Sequence, residues 1–152
     1  MAALRKKVLA VSSGGGHWVE LLRVMPAFYD CDVTYVTVRK DYRSDVGGAP
    51  FCTVNDANRW SVLKTLLLAI RTFHIVLLIR PDVVVSTGAA PGYFAVRFGK
   101  MLGARTIWLD SMANVDILSK SGRMAGRYAD LWLTQWPELA HSGGPEHAGK
   151  VL

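Results

Sequence analysis

The chain has 152 residues, enough for one domain with a sizeable hydrophobic core. Its net charge is +6, and 11 of its 18 basic side chains lie in the first 80 residues, so anionic partners such as phosphates or anionic lipids are expected. The sequence has no arginine- and lysine-rich arm and no nucleic-acid-binding motif, which excludes nucleic acid as a partner. Cys31 and Cys52 are too far apart in sequence for a metal-binding pair, and neither a metal nor a cofactor is expected.

Strand-like and helix-like segments alternate along the chain. Runs rich in apolar or β-branched residues predict strands at residues 8–11, 32–38, 51–54, 82–87, 105–109 and 131–134. Helical spacing of apolar residues predicts helices at residues 17–27, 59–79 and 88–102, and residues 39–50 are predicted to form a polar loop. The alternation predicts an α/β fold with a Rossmann-like parallel sheet. We expect a single domain over residues 1–141, followed by a tail at 142–152 that ends in a short strand.

The junction between the first strand and the first helix is rich in glycine. Its residues are Ser13, Gly14, Gly15, Gly16 and His17. Glycines allow a tight turn and leave bare N–H groups at a helix N-terminus, an arrangement that favours a phosphate or diphosphate. It is not a dinucleotide fingerprint, because Val19 stands at the third glycine position, and no P-loop Lys-Ser/Thr pair follows. The alternative is an ordinary strand-to-helix turn with an incidental histidine.

Polar segments also follow the fourth and fifth predicted strands. The first contains Thr87, Gly88 and Ala89, and the second contains Asp110 and Ser111. Ligands of open parallel sheets bind beyond the carboxyl ends of the strands, so we expect both segments to line one site together with the glycine-rich loop. Each segment also has a purely structural explanation, as a strand-to-helix connection in the first case and as a turn capped by Asp110 in the second.

The predicted helix at 59–79 is amphipathic. Its apolar face contains Trp60, Leu63, Leu67, Ile70 and Leu77, widened by Leu66, Phe73 and Val76. Its polar face contains Ser61, Lys64, Thr65, Arg71 and Thr72. Because Arg71 and His74 fall at its middle, we do not expect the helix to span a membrane. Two interpretations stay open: a core helix with a solvated basic stripe, or an interfacial helix that buries its apolar face in lipid while Lys64 and Arg71 meet anionic headgroups.

The second half of the chain carries four motifs in a specific order. They are Trp-Leu-Asp-Ser-Met-Ala-Asn-Val at 108–115, Leu-Ser-Lys-Ser-Gly-Arg at 118–123, Tyr-Ala-Asp at 128–130 and Thr-Gln-Trp-Pro-Glu-Leu at 134–139. Together with the glycine-rich loop, they resemble the acceptor-side, membrane-anchor subunit of two-component UDP-sugar glycosyltransferases. That family includes the eukaryotic asparagine-linked glycosylation protein fourteen and bacterial subunits of capsule and exopolysaccharide assembly.

The resemblance implies a chain equivalent to the N-terminal, acceptor half of a GT-B glycosyltransferase. A small second subunit would supply the donor-binding half, with the UDP-sugar in the shared cleft. The similar peptidoglycan N-acetylglucosaminyltransferase turns its glycine-rich loop towards the acceptor diphosphate, which implies the same role for residues 14–16 here. His17 would orient the acceptor or act as general base. Asp41, Glu20 and Asp110 are alternative bases.

The implied function is that of a subunit of a membrane-associated inverting glycosyltransferase, inactive without its partner. It would help to transfer N-acetylglucosamine, glucuronate or galactose from a UDP-sugar to a polyprenyl-diphosphate-linked acceptor. Trp136, Val151 and Leu152 are expected at the subunit interface. Because only seven residues precede the first strand, we expect peripheral attachment to the cytoplasmic face of the inner membrane and a bacterial source. The alternatives are a non-catalytic membrane scaffold and a stand-alone nucleotide-binding protein.

Overall fold

The computed structural model describes residues 4–58 and 60–151, so Arg59 at the predicted start of the second helix and Leu152 lie outside the described residues. The strands are β1 (Lys7–Ser12), β2 (Asp32–Thr37), β3 (Phe51–Thr53), β4 (Val83–Gly88), β5 (Arg105–Leu109), β6 (Leu131–Thr134) and β7 (Glu146–His147). The α-helices are α1 (Gly16–Val24), α2 (Val62–Ile79), α3 (Ala89–Met101) and α4 (Lys120–Ala125). These strands form one parallel sheet in the order β3-β2-β1-β4-β5-β6-β7, which confirms the predicted Rossmann-like α/β fold.

The strand order reverses between β1 and β4 at the centre of the sheet. From β1 the chain runs outward to β2 and β3, and α2 then carries it back to β4 on the other side of β1. The loops that leave the carboxyl ends of β1 and β4 therefore lead to helices on opposite faces of the sheet, and the position beyond these strand ends, here called the crevice, is the usual ligand position in such sheets. The glycine-rich loop and residues 87–89 lie at this edge.

Helices cover both faces of the sheet. The side chains of the continuous apolar run of β1, residues 8–11, alternate between the two faces. All four are buried because both faces are covered. Trp18 on α1 is buried in the core on one face, whereas Trp108 on β5 is buried in the core on the other, against α3. The apolar content of these strands thus fills two cores, one on each side of the sheet.

Two elements differ from the sequence prediction. Residues 40–46 form a 3₁₀ helix within the segment predicted to be a loop. The six-residue helix α4 was not predicted, because so short an element shows no helical periodicity. Ser119 begins it by accepting a hydrogen bond from the Gly122 amide at 2.8 Å. In the tail, Glu146–His147 forms β7, which pairs with β6.

Helix α2 turns its most apolar face away from the sheet. Leu63 is 79% exposed, and the other residues predicted to face the membrane (Trp60, Lys64, Leu67, Ile70 and Arg71) are exposed as well. The buried face consists of Leu68, Thr72 and Val76. The predicted face of Thr72 was therefore wrong, since it was placed on the polar side, whereas Val76 belongs to the predicted apolar face and is buried. By length and composition α2 could cross a membrane, the one helix in the described part of the chain of which this holds.

Candidate functional site

The glycine-rich segment forms a tight turn between β1 and α1. Gly15 has φ +67°, a left-handed conformation that glycine adopts without strain. Its amide donates a hydrogen bond to the hydroxyl of Tyr42 at 3.0 Å. The amides of Gly16 and His17 open α1 and have no intrahelical acceptor, as at any helix N-terminus. The loop therefore presents N–H groups and the positive end of a helix dipole to the crevice, which suits a phosphate group.

The 3₁₀ helix at 40–46 is fixed against α1 and closes one side of this loop. Trp18 stacks on Tyr42 with ring centroids 5.0 Å apart and an interplanar angle of 9°. The Trp18 indole also donates to Asp45 Oδ2 at 2.9 Å. Tyr42 is thereby held where its hydroxyl meets the Gly15 amide. Sequence analysis missed Tyr42 because it lies in a segment predicted to be a polar loop.

Arg39 places a cation beside the glycine-rich loop. A Cβ added to Gly14 would lie 3.2 Å from Arg39 Cδ, so the arginine side chain crosses this glycine at contact distance. The guanidinium donates to both carboxylate oxygens of Asp41 at 3.1 and 2.7 Å. These hydrogen bonds raise the pKa of Arg39 and hold the pKa of Asp41 below its ordinary value. Asp41, an alternative base, is therefore a paired carboxylate. Sequence analysis also missed Arg39, although a basic residue directly after the second predicted strand could have indicated a role at this edge of the sheet.

His17 bridges the loops that follow β1 and β4. Its Nδ1 lies 3.0 Å from the carbonyl oxygen of Thr87, and the Thr87 hydroxyl donates to the His17 carbonyl at 2.6 Å. Because a carbonyl can only accept, this contact assigns the ring proton to Nδ1 and leaves Nε2 as the acceptor in the neutral imidazole. The side chain is 30% exposed. The geometry thus presents a proton acceptor next to the backbone of the glycine-rich loop.

Residues 88 and 89 have backbone conformations that bring α3 close to His17. A Cβ on Gly88 would lie 2.5 Å from His17 Nδ1, so only glycine allows this approach of the ring. Ala89, the first residue of α3, has φ +64°, which is unfavourable for a residue with a Cβ. Strained backbone of this kind concentrates at functional sites. Of the predicted residues, Thr87 and Gly88 therefore lie against His17, and Ala89 follows them at the start of α3.

Asp110 and Ser111 lie at the same edge of the sheet, but their polar atoms are engaged within the chain. Asp110 is buried, and its carboxylate accepts hydrogen bonds from the Trp108 indole, the Asn114 amide group, and the amide and hydroxyl of Ser119. The Ser111 hydroxyl donates to Glu20 at 3.2 Å and accepts from the Ala113 amide at 3.3 Å. These hydrogen bonds stabilise the turn after β5. They agree with the structural alternative for Asp110, in which it caps a turn.

Glu20, another of the alternative bases, lies behind His17 and is 3% exposed. Its Oε2 is 4.0 Å from His17 Nδ1. The carboxyl group is thus close to the imidazole but withdrawn from solvent. Within residues 4–58 and 60–151, no group of three or more His, Cys, Asp or Glu side chains is arranged to hold a metal ion.

Two of the residues predicted at the subunit interface, Trp136 and Val151, lie on the β6–β7 side of the sheet. The Trp136 indole donates to the Met112 carbonyl at 2.8 Å, and Lys150 Nζ lies 3.9 Å from its ring centroid. The Val151 amide donates to the Gln135 side chain at 3.0 Å, and the Val151 carbonyl accepts from Arg23 at 3.0 Å. Both residues are half-buried by their own chain, and their contact with a partner stays a prediction.

The sequence is similar to known proteins over most of its length. The family model described as "Oligosaccharide biosynthesis protein Alg14 like" matches residues 51–149. The UDP-N-acetylglucosamine transferase subunit ALG14 of Cryptococcus neoformans (strain B-3501A) is 37% identical over 105 residues, covering 60% of this chain and 45% of the relative. The subunit of the same name from Yarrowia lipolytica is 27% identical over 143 residues, covering 89% of this chain and 62% of the relative. The chain thus spans less than two thirds of these relatives. Both are fungal, and they give the expectation of a bacterial source no support.

The fold is similar to that of MurG from Acinetobacter baumannii. The TM-score is 0.76 at 14% identity, and the match covers 94% of this chain and 45% of MurG. Identity this low shows a shared fold alone. At that level it confirms the expected resemblance to one half of a GT-B glycosyltransferase.

Proposed function

Since the chain belongs to the Alg14 family of oligosaccharide biosynthesis proteins, we propose that it is the acceptor-side subunit of a glycosyltransferase. The reaction would transfer N-acetylglucosamine from UDP-N-acetylglucosamine to a polyprenyl-diphosphate-linked acceptor. The names of the similar fungal subunits support this donor over glucuronate and galactose. The observation that carries the proposal is the position of His17, held between the glycine-rich loop and the N-terminus of α3 in the crevice.

The acceptor diphosphate would bind at the glycine-rich loop. The free amides at the start of α1 donate to phosphate oxygens, and the Arg39 guanidinium adds a positive charge beside Gly14. Thr87, Gly88 and Ala89 form the opposite wall. Asp110 and Ser111 would shape this wall from behind rather than contact the acceptor, because their hydrogen bonds are made within the chain.

His17 would accept the proton of the attacking hydroxyl. The hydroxyl oxygen of the acceptor forms a bond to the anomeric carbon of the donor sugar, while the bond from that carbon to the UDP diphosphate breaks and UDP leaves with the electron pair. The hydroxyl proton passes to Nε2 of His17, which makes no hydrogen bond within the described residues. Attack opposite the leaving group inverts the anomeric centre. The donor half of the cleft would come from a second subunit.

Helix α2 would bring the subunit to the membrane that holds the acceptor. Its buried residues Leu68, Thr72 and Val76 tie it to the domain, so it cannot cross a bilayer without leaving the core. Its outward apolar face can dip into lipid while Lys64 and Arg71 meet anionic headgroups. We therefore favour peripheral attachment on the side of the membrane that carries the nucleotide sugar.

A transfer assay with matched histidine variants tests the proposal. The full chain is combined with the donor-binding subunit, and incorporation of radiolabelled N-acetylglucosamine into polyprenyl-diphosphate-linked acceptor is measured. We expect transfer activity only when both subunits are present. In His17→Gln this activity should fall by about 100-fold or more, which is the scale of a general base. His147→Gln is the control, because its side chain is exposed on β7.

The outcomes separate the alternatives. Activity of this chain by itself would overturn the two-subunit assignment. Full activity of His17→Gln in an intact complex would leave a membrane scaffold with the chemistry elsewhere. Tight binding of a nucleotide by the isolated chain would favour the stand-alone nucleotide-binding protein.

A further inference from the structure

Glu20 is a buried carboxyl group whose two oxygens have different surroundings. Oε1 accepts hydrogen bonds from the Ser111 hydroxyl at 3.2 Å, the Met112 amide at 2.8 Å and the Gln135 side chain at 3.2 Å. Oε2 is buried and has no hydrogen-bond partner in the described part of the chain. Buried carboxyl oxygens are nearly always hydrogen-bonded, so an oxygen left without a donor calls for an explanation.

The unpartnered oxygen faces the imidazole of His17. Oε2 lies 4.0 Å from Nδ1, one helical turn away on α1. Nδ1 already donates to the Thr87 carbonyl, so Glu20 does not compete for that hydrogen bond. Among the described residues, no lysine or arginine forms an ion pair with Glu20. His17 is therefore the one cationic partner within reach when its ring carries two protons.

Three residues from two other segments hold Glu20 in place. Ser111 and Met112 follow β5, and Gln135 follows β6. The Gln135 side chain also donates to the Asp110 carbonyl at 3.0 Å and accepts from the Val151 amide at 3.0 Å. Oε1 is thus fixed by contacts from across the sheet, and these contacts direct Oε2 towards His17.

We propose that Glu20 is a positioning residue whose negative charge stabilises His17 after the ring has taken up the acceptor proton. This inference rests on the proposed function, in which Nε2 receives that proton. The proton stays on the ring, and Glu20 neither accepts it nor touches the substrate. In a buried setting a charge 4 Å from a developing imidazolium acts more strongly than it would in water. The same logic places a carboxylate behind the histidine of hydrolase triads.

Glu20→Gln is the test variant, because it removes the charge and keeps the size and an acceptor oxygen for the three donors. In the transfer assay we expect kcat to fall by about 10- to 100-fold, a part of the general-base contribution, with the acceptor KM within about twofold. Glu138→Gln, on an exposed residue, should leave both constants unchanged. A KM effect without a kcat effect, or unchanged kcat, overturns the proposal.

A second readout does not depend on transferase activity. The full chain is labelled with ¹⁵N-histidine, the His17 ring signals are assigned with His17→Gln, and the fraction of doubly protonated ring is measured at one mildly acidic pH. We expect this fraction to be lower in Glu20→Gln than in the wild type. An equal fraction overturns the proposal even if the variant transfers slowly. If wild-type transfer itself is absent, the proposed function fails, while the ring signals still decide whether Glu20 acts on His17.

Glu20→Asp keeps the inference testable should the glutamine variant fail to fold. Aspartate retains the charge but draws it back by one methylene group. We expect the protonated fraction of His17 and kcat to fall below the wild-type values and, where Glu20→Gln folds, to lie above those of that variant. Wild-type values of both quantities in Glu20→Asp would overturn the proposal.

Discussion

His17 and Thr87 are joined by two hydrogen bonds that run in opposite directions. The imidazole donates from Nδ1 to the Thr87 carbonyl at 3.0 Å, and the Thr87 hydroxyl donates to the His17 carbonyl at 2.6 Å. The two residues are 70 positions apart in sequence, and they fasten the loop after β1 to the loop after β4. The two walls of the crevice are therefore locked together at the histidine.

Thr87→Val should weaken this lock. The variant keeps the shape of the side chain but removes the hydroxyl, so the His17 carbonyl loses this donor and keeps its helical hydrogen bond within α1. We expect the free energy of unfolding to fall by about 1 kcal/mol, the net contribution of one intramolecular hydrogen bond. Urea unfolding measures it, with Thr34→Val on β2 as the control, since no side-chain hydrogen bond of Thr34 is present in the described residues. Equal effects of the two substitutions would contradict this account.

Gly88→Ala should displace His17. The added methyl carbon would lie 2.5 Å from Nδ1 and 2.6 Å from Cε1, so the ring has to move. Alanine is also strained at φ +143°. We expect at least a 10-fold loss of transfer activity and a loss of about 2 kcal/mol in stability.

Gly16→Ala is the matched control for stability in that experiment. A Cβ on Gly16 meets nothing within 4 Å, and the residue begins a helix. Its unfolding free energy should stay within about 1 kcal/mol of the wild type. If Gly88→Ala were as mild as Gly16→Ala, the close approach between Gly88 and His17 would not exist in solution.

Tyr42→Phe should loosen the glycine-rich loop without touching the base. The phenol hydroxyl accepts from the Gly15 amide at 3.0 Å, whereas the stacked ring on Trp18 is kept in phenylalanine. We expect the acceptor KM to rise several-fold with little change in kcat, because the loop binds the diphosphate and does not take part in proton transfer. Tyr29→Phe, which changes an exposed tyrosine, is the control. A loss confined to kcat would refute this division of roles.

The apolar face of α2 should determine membrane binding. In the double variant Leu63→Ser and Leu67→Ser two exposed leucines are lost. We expect binding of the full chain to vesicles of phosphatidylcholine and phosphatidylglycerol to weaken by at least 10-fold, since each buried leucine contributes about 1.5–3 kcal/mol. Met101→Ser and Leu102→Ser, at the end of α3, form the control pair. If vesicle binding were unchanged by the α2 substitutions, or did not weaken as the salt concentration is raised, the membrane contact would lie elsewhere on the protein.

The sequence predicted the sheet and the edge where the crevice lies, because strand runs and glycine turns are local patterns. It could not predict which side of α2 faces the core: Thr72 is polar but buried, and the apolar side is turned outward. It also could not predict the pairing of Gly15 with Tyr42, or the orientation of Glu20 behind His17. These contacts join segments far apart in sequence, and only the packing of α1 against the sheet and the 3₁₀ helix brings them together.

Asp130 provides a pH-dependent test of the β5–β6 side of the sheet. Its carboxylate pairs with Lys100 and accepts a hydrogen bond from the Thr106 amide at 3.0 Å. The hydrogen bond with Lys100 is the largest of the effects that lower the pKa of Asp130 from its ordinary value. A lowered pKa in the folded state means that the carboxylate stabilises the fold above the unfolded pKa of about 3.9, and that this contribution disappears as the pH falls through the folded pKa.

Asp130→Asn should therefore cost about 1 kcal/mol of unfolding free energy at pH 7, and the difference from the wild type should shrink as the pH is lowered below about 4. Urea unfolding at neutral and acid pH measures both differences. Asp116→Asn, on an exposed loop residue, should show little difference at either pH. If the cost of Asp130→Asn were the same at both pH values, the stabilisation would come from hydrogen-bond geometry rather than from the charge of Asp130, and the ion pair with Lys100 would contribute nothing measurable.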